Sequence, residues 1–183
     1  MNSQMDELLN KVRSGNNQLA KEAIEELRKQ SWLTDGSLQG VALCKAQLHD
    51  ATLESANLCC AGLHQSNLAW VDLSNSNLRA AKLSLCNLTG ANLKDAKIDN
   101  ADFYKANLRG VRNLTEEQMR AAARFWGATM PNGEKYDGCF SLFGDLALAQ
   151  WNSVNTDDPQ AMADFYQVPL EVYLKGQGLQ VTA

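Results

Sequence analysis

Two histidines and five cysteines carry most of the reactive chemistry that 183 residues could offer here. Hydrolytic catalysis would need a nucleophile held against a base, or two apposed carboxylates. Metal binding would need several ligands at a characteristic spacing. His49 and His64 each directly follow a leucine of a regular series, which places both on an outer surface. Cys44, Cys59, Cys60, Cys86 and Cys139 are odd in number and follow no disulfide or zinc spacing, a usage that fits a reducing compartment. No glycine-rich phosphate loop is present. The reading therefore assigns no catalytic residue, no cofactor and no metal, and predicts that the protein is not an enzyme.

The elements that position these side chains come from a five-residue repeat. From Ser31 to Gly110 the chain divides into 16 blocks, SWLTD GSLQG VALCK AQLHD and onward. The third place is Leu in 14 blocks, with Ile98 and Phe103 in the other two. The first place is small, with nine Ala and three Ser among its occupants, and Cys86 fills one such slot, which predicts a core position. The second place favours Asn or Asp, as at Asn57, Asn67, Asp72, Asn77, Asn87, Asn92, Asp102 and Asn107. These are read as residues that fit the backbone of the repeat rather than as a ligand ladder. Asn113 breaks the third place, so the register is read as ending after Leu108.

A period of five fits neither ordinary element. On an α-helix five steps advance about 140° net, so the leucines would define no face. On a flat strand an odd period sends successive leucines to opposite sides. A third geometry works. The first and third residues point inward, the second points out, and the fourth and fifth turn a corner. If each corner turns about 90°, a coil closes after four blocks, or 20 residues, and the absence of proline from 31–112 permits unbroken ladders between coils. The predicted core is then Leu38, Leu43, Leu48, Leu53, Leu58, Leu63, Leu68, Leu73, Leu78, Leu83, Leu88, Leu93, Ile98, Phe103 and Leu108. In such a coil His64 stands over Cys44, with Cys59 and Cys60 near the adjoining corner. That grouping is a conceivable soft-metal site, but chance occupation of outer places accounts for it better.

The A-N-L-x-x blocks resemble the pentapeptide-repeat family over about 80 residues. The resemblance implies an all-β solenoid, a right-handed quadrilateral β-helix, here of about four coils. Val41 and Val71 depart from the family's small first residue and would widen the coil locally.

Both ends of the shaft need covering, because open coil edges invite end-to-end association. Residues 1–30 read as a helical N-terminal cap of two short helices. Met5, Leu8, Leu9 and Val12 line one face, and Leu19, Ala20, Ala23, Ile24 and Leu27 another, separated by Ser14-Gly15-Asn16-Asn17. In 113–183 a capping box at Thr115 to Gln118 predicts a helix to about Phe125. Asn132-Gly133 predicts a hairpin turn. Further helices are expected from near Asp145 to Asn152, from Pro159, and from Pro169 to Gly176. The tail is too aromatic for disorder, and it resembles tails of cyanobacterial pentapeptide-repeat proteins.

Charge decides between function classes. Residues 31–78 carry net −3, residues 79–112 net +4 and residues 113–183 net −5. The family includes DNA-mimicking gyrase-binding proteins, a role that calls for a long, continuously acidic shaft. A short shaft of mixed sign does not meet that requirement. The basic half runs straight into an acidic tail, which also argues against nucleic-acid binding through the outer faces, and metal binding there is set aside because no ligand spacing beyond the repeat supports it. The favoured reading is a non-enzymatic scaffold or protein-interaction module, of regulatory character, as monomer or weak homodimer, with a protein partner of unknown identity. Trp70, Arg79, Lys82, Tyr104 and Arg109 are the candidate partner surface. No run approaches the ~20 apolar residues of a membrane helix. The N-terminus shows no signal pattern, so a cytoplasmic location without membrane contact is expected.

Overall fold

The computed structural model describes residues 3–179. Its centre is a four-sided solenoid whose parallel bridges join residues 20 apart. Four columns of bridges stand around it. One runs Ala42, Gly62, Lys82, Asp102, and a second Gln47, Asn67, Asn87, Asn107. A third runs Thr52, Asp72, Asn92, Arg112, and the fourth Asn57, Asn77, Lys97. Every side holds one repeat block, as the alternation of inward and outward places requires.

The corner has a definite cause. The fifth residue of every block from Lys45 to Gly110 has φ between 52° and 69°. A hydrogen bond closes each turn, for example from Ala46 N to Leu43 O at 3.3 Å. This is the pattern of a turn with a left-handed third residue. Only Gly40, Gly90 and Gly110 among the fifth residues take that conformation without a Cβ. The other corners adopt an uncommon backbone region, held by three inter-coil bonds per block. In the block at Leu83, Lys82 N donates to Ala61 O below, and Leu83 N and Leu85 N donate to Asp102 O and Tyr104 O above. The predicted leucine, Ile98 and Phe103 positions are all buried, each worth roughly 1.5–3 kcal/mol before entropy. Val71 is buried as well, while Val41 lies only partly covered.

Bridges begin at Ala42. Ser31–Gly40 form turns, although Leu33 and Leu38 are buried beneath them. Ahead of them lie α1 (Ser3–Val12) and α2 (Asn17–Lys29). The Asn16 side chain accepts from Leu19 N to start α2. The expected inward faces are buried except at Leu19, which is exposed.

The repeat continues past the expected end. Arg112, the last residue of the expected 31–112 solenoid, bridges to Asn92. Then α3 (Glu116–Ala121) takes the place of one block. Thr115 and Gln118 form the capping box, but the helix stops at Ala121, short of Phe125. Gln118 Nε2 donates to Leu93 O at 3.0 Å and to Ala96 O at 2.8 Å, so one side chain reaches the edge that a strand would have paired. Two further blocks follow, Ala123-Arg124-Phe125-Trp126-Gly127 and Ala128-Thr129-Met130-Pro131-Asn132. Arg124 bridges to Asp102 and Thr129 to Asn107. These rungs are 22 residues apart, because α3 adds two residues to the coil. The Asn132-Gly133 turn is present, with Thr129 bridged antiparallel to Lys135. The tail closes with α4 (Phe143–Trp151), α5 (Pro159–Tyr166) and α6 (Leu170–Gly176). No described helix is long and apolar enough to cross a membrane.

Candidate interaction surfaces

The interior of the upper end changes from aliphatic to aromatic. Phe103 and Phe125 stack with ring centroids 5.0 Å apart, Phe125 meets Tyr136 at 5.6 Å, and Tyr136 meets Tyr166 edge-on at 5.6 Å. Larger rings fill the volume as the coil widens at α3 and the tail helices fold onto it. Burial pushes the Tyr136 and Tyr166 hydroxyls well above the ordinary tyrosine range.

Asp145 sits at the edge of this last coil and is completely buried. Within the shaft the third residue's N–H finds a carbonyl one coil up, as Leu83 N does at Asp102 O. Phe125 has no such carbonyl. Its N–H donates instead to Asp145 Oδ2 at 3.2 Å, and Trp126 N–H donates to Asp145 Oδ1 at 2.9 Å. The residue before Asp145 completes the imitation, since Gly144 N donates to Ala123 O at 3.0 Å. Burial outweighs the two donated bonds and pushes the Asp145 carboxyl up to about 6.

The lower edge is treated with cations. The second-place carbonyls of the first coil point to where no coil exists. Arg13 Nε donates to Ala42 O at 2.7 Å, and an Arg28 terminal nitrogen donates to Thr52 O.

The outer faces carry a ladder of side-chain amides. Asn77 Nδ2 donates to Asn57 Oδ1 at 3.1 Å, Asn87 Nδ2 to Asn67 Oδ1 at 3.3 Å and Asn92 Nδ2 to Asp72 Oδ1 at 2.9 Å. Their oxygens also accept from the backbone two residues on, as Asn67 does from Ala69 N. These residues hold the coil and face one another.

The candidate partner residues divide among three sides. Trp70 stands at the corner of the Asn67–Asn87–Asn107 side, 58% exposed. Its ring lies flat over Gly90, where an added Cβ would come within 2.3 Å of the indole. Arg109 is on the same side, two coils higher. Arg79 lies on the Asn57–Asn77–Lys97 side and is paired with Asp99 at 3.2 Å. Lys82 and Tyr104 share the side of Gly62 and Asp102. Tyr104 stacks on Trp126 at 5.3 Å, with Lys105 Nζ 5.1 Å from the Trp126 ring centroid and Arg124 4.8 Å from that of Tyr104. Arg124 also grips Asp102, through Nε to Oδ1 at 3.0 Å and a second bond to Oδ2. Burial works to raise the Asp102 pKa, but the Arg124 bond and a backbone donor from Tyr104 win and hold it below the usual carboxylate range.

The five cysteines separate into one paired with a histidine, one adjacent pair and two single residues. Cys44 Sγ lies 3.0 Å from His64 Nδ1, the stacking that the 20-residue coil implies. Cys59 and Cys60 Sγ lie 3.6 Å apart at a corner. Cys86 is buried, with its thiol against Leu63 O at 2.8 Å, and burial pushes it up to about 12. Cys139 is half-buried in the tail. Among the described residues no three His, Cys, Asp or Glu side chains gather to hold a metal.

The largest apolar exposure lies on α4, where reading the sequence did not single it out. Phe143 and Trp151 are each 86% exposed. With Ala147, also exposed, they mark successive turns at i, i+4 and i+8 along one face. The only charged residue in Phe143–Trp151 is Asp145, which points inward. The 143/147/151 spacing within FGDLALAQW was the available signal. It was hidden because α4 is apolar on almost every side.

Residues 37–75 and 72–110 match the family described as pentapeptide repeats, in eight copies. The match carries a right-handed quadrilateral β-helix, which agrees with the four bridge columns. Among solved structures, a pentapeptide-repeat protein (Rfr23) of the cyanobacterium Cyanothece 51142 is 38% identical, over 40% of this chain and 50% of that one, with a TM-score of 0.40. A pentapeptide-repeat protein of the Arabidopsis thaliana thylakoid lumen is 22% identical, over 52% and 65%, with a TM-score of 0.30. HetL of Nostoc sp. strain PCC 7120, described as involved in the regulation of heterocyst differentiation, is 29% identical, over 53% and 48%, with a TM-score of 0.27. The chain thus spans between about half and two thirds of these relatives. No curated protein matches it.

Proposed function

We propose, from the premise that residues 37–110 make this chain a pentapeptide-repeat protein, that it is a non-enzymatic scaffold docking a protein partner through its tail. The observation that carries this is the α4 face with Phe143 and Trp151 each 86% exposed. Two large aromatics standing in water one helix turn either side of a small residue are what a docking anchor presents. The rest of the chain supplies rigidity. In this reading α1 and α2 cap the lower edge of the shaft, Arg13 and Arg28 satisfying its carbonyls. The segment after Asn113 caps the upper edge, with Gln118 and Asp145 replacing missing backbone partners. The solenoid thus holds α4 on a fixed base, which reduces the ordering cost of binding. The amide ladders are self-satisfied and offer little to a ligand. The mixed charge of the shaft does not suit imitation of DNA.

The test is affinity capture from native cell extract with quantitative mass spectrometry. The whole chain is compared with a Phe143→Ser, Trp151→Ser double variant, which alters only exposed side chains and should keep the fold. A partner retained by the wild type and lost by the variant is the expected result. Equal retention by both, or retention that instead depends on Trp70, would overturn the assignment to α4.

A further inference from the structure

The adjacent thiols of Cys59 and Cys60 have a geometry that neither the repeat nor the docking role requires. Cys59 occupies a fourth place and Cys60 the fifth, where the backbone turns with φ 58°. That turn swings both side chains to the same outer corner and leaves the two Sγ atoms 3.6 Å apart. The corner is open. The residue one coil below Cys60 is Gly40, around which a Cβ would meet nothing within 4 Å, and the residue one coil above is Ala80. Cys60 is exposed and Cys59 partly so. The neighbouring Cys60 thiol, followed by desolvation, holds the Cys59 thiol above its ordinary range, with the Arg79 guanidinium one coil above pulling more weakly the other way.

Two chemistries are open to a pair of thiols, oxidation to a disulfide or joint ligation of a soft ion. Oxidation is disfavoured by the backbone. Adjacent Cα atoms across a trans peptide are about 3.8 Å apart, below the roughly 4.4–6.8 Å that an unstrained disulfide takes. All described peptide bonds are trans. Ligation fits. Two thiolates on one edge of a tetrahedral d10 ion, each with a metal–sulfur bond near 2.3 Å, stand about 3.8 Å apart. The observed 3.6 Å needs almost no adjustment. Thiolates also select this class of ion over hard cations.

We infer that Cys59 and Cys60 form a two-thiolate site for a soft divalent cation of the zinc and cadmium kind. Two thiols bind one ion and release two protons, with no change of oxidation state. Water or an incoming thiol fills the remaining positions, since among the described residues no third protein ligand joins the group. The site is separate from the Cys44–His64 pair, which lies across the side that begins at Ala61.

The experiment titrates the whole, reduced chain with cadmium and follows the cadmium–thiolate ultraviolet band, with proton release measured in weak buffer. One ion per chain and two protons per ion are expected. Cys59→Ser and Cys60→Ser should each weaken binding about 100-fold, the loss expected when one arm of a chelate is removed. Cys44→Ser should leave the binding unchanged. A second measurement uses the wild type alone. Bound cadmium should protect Cys59 and Cys60, and no other cysteine, from alkylation mapped by mass spectrometry. Absence of the band overturns the proposal. So does loss of binding in Cys44→Ser with retention in Cys59→Ser, or protection of Cys44 in place of the adjacent pair.

Discussion

Replacing Asp145 tests how the upper edge of the solenoid is closed. Its carboxylate accepts from Phe125 N and Trp126 N inside a fully buried environment. Asp145→Ala leaves two sheltered N–H groups without acceptors, at about 1–3 kcal/mol each. It also removes a buried charge. The carboxyl rises from 3.8 to about 6 on folding, so ionising it in place costs on the order of 3 kcal/mol at neutral pH. The two effects oppose, and their balance depends on pH. A carboxyl with a raised folded pKa binds its proton more tightly in the folded chain. Its contribution to stability is therefore complete below pH 4 and is lost as pH rises through about 6. At pH 7.5 the net cost of Asp145→Ala should be only about −1 to 3 kcal/mol. At pH 4.5 the wild type regains most of the ionisation cost and the variant does not, so the difference should widen by on the order of 2 kcal/mol. Urea unfolding followed by circular dichroism at both pH values measures this. Other carboxylates, Asp102 among them, titrate in the opposite sense but are common to both chains and cancel in the difference. An equal stability gap at the two pH values would refute the reasoning and show that Asp145 stays ionised whatever its burial.

Other outcomes follow from the repeat itself. Leu68→Asp places an unpaired charge in the sealed interior and should unfold the chain. Asn67→Asp keeps the acceptors of the ladder and loses one donor to Gln47, so it should cost under about 1 kcal/mol; equal loss of far-ultraviolet signal from the two would invert the inward and outward assignment. Gly90→Ala forces a methyl into the Trp70 ring at φ 69° and should cost about 1–3 kcal/mol, with a shift in tryptophan emission; an unchanged spectrum and melting temperature would show that Trp70 does not lie there. Deleting residues 113–183 should expose the upper edge and cause self-association, read by size-exclusion chromatography with light scattering; a truncated chain that stays monomeric and equally heat-stable would show that the segment is not a cap.

The shaft was legible because its pattern is a direct consequence of its geometry. A leucine every fifth residue cannot serve a helix or a flat strand, and an inward pair followed by a corner satisfies it, while the four-sided section rests on the resemblance to pentapeptide repeats. The left-handed corner was not legible, because residues as different as Lys45, Trp70 and Leu85 adopt it under the pull of inter-coil bonds. The fifth coil was missed for a different reason. Ala123-Arg124-Phe125 and Ala128-Thr129-Met130 spell the same small-outward-large grammar, but α3 shifts them by two residues and the third place is no longer leucine. A search by fives stops at Asn113. A search for the grammar at any offset would have continued.

The same shift explains why Asp145 escaped notice as a functional residue. A coil edge needs acceptors where the next coil's carbonyls would be, about 20 residues along the chain from the donors they serve. Asp145 lies 20 residues after Phe125, and Gly144 lies 21 after Ala123, the separation that Asn87 keeps from Ser66 inside the shaft. The chain follows the coil's path for one more half-step and then substitutes a carboxylate for a peptide carbonyl. Arg13 and Arg28 solve the converse problem below, donating to carbonyls that have lost their amide partners. A solenoid read by period therefore shows its ends where polar side chains take up the backbone's own spacing. That criterion places the upper end of this shaft at Asp145, a full coil beyond the last leucine of the repeat.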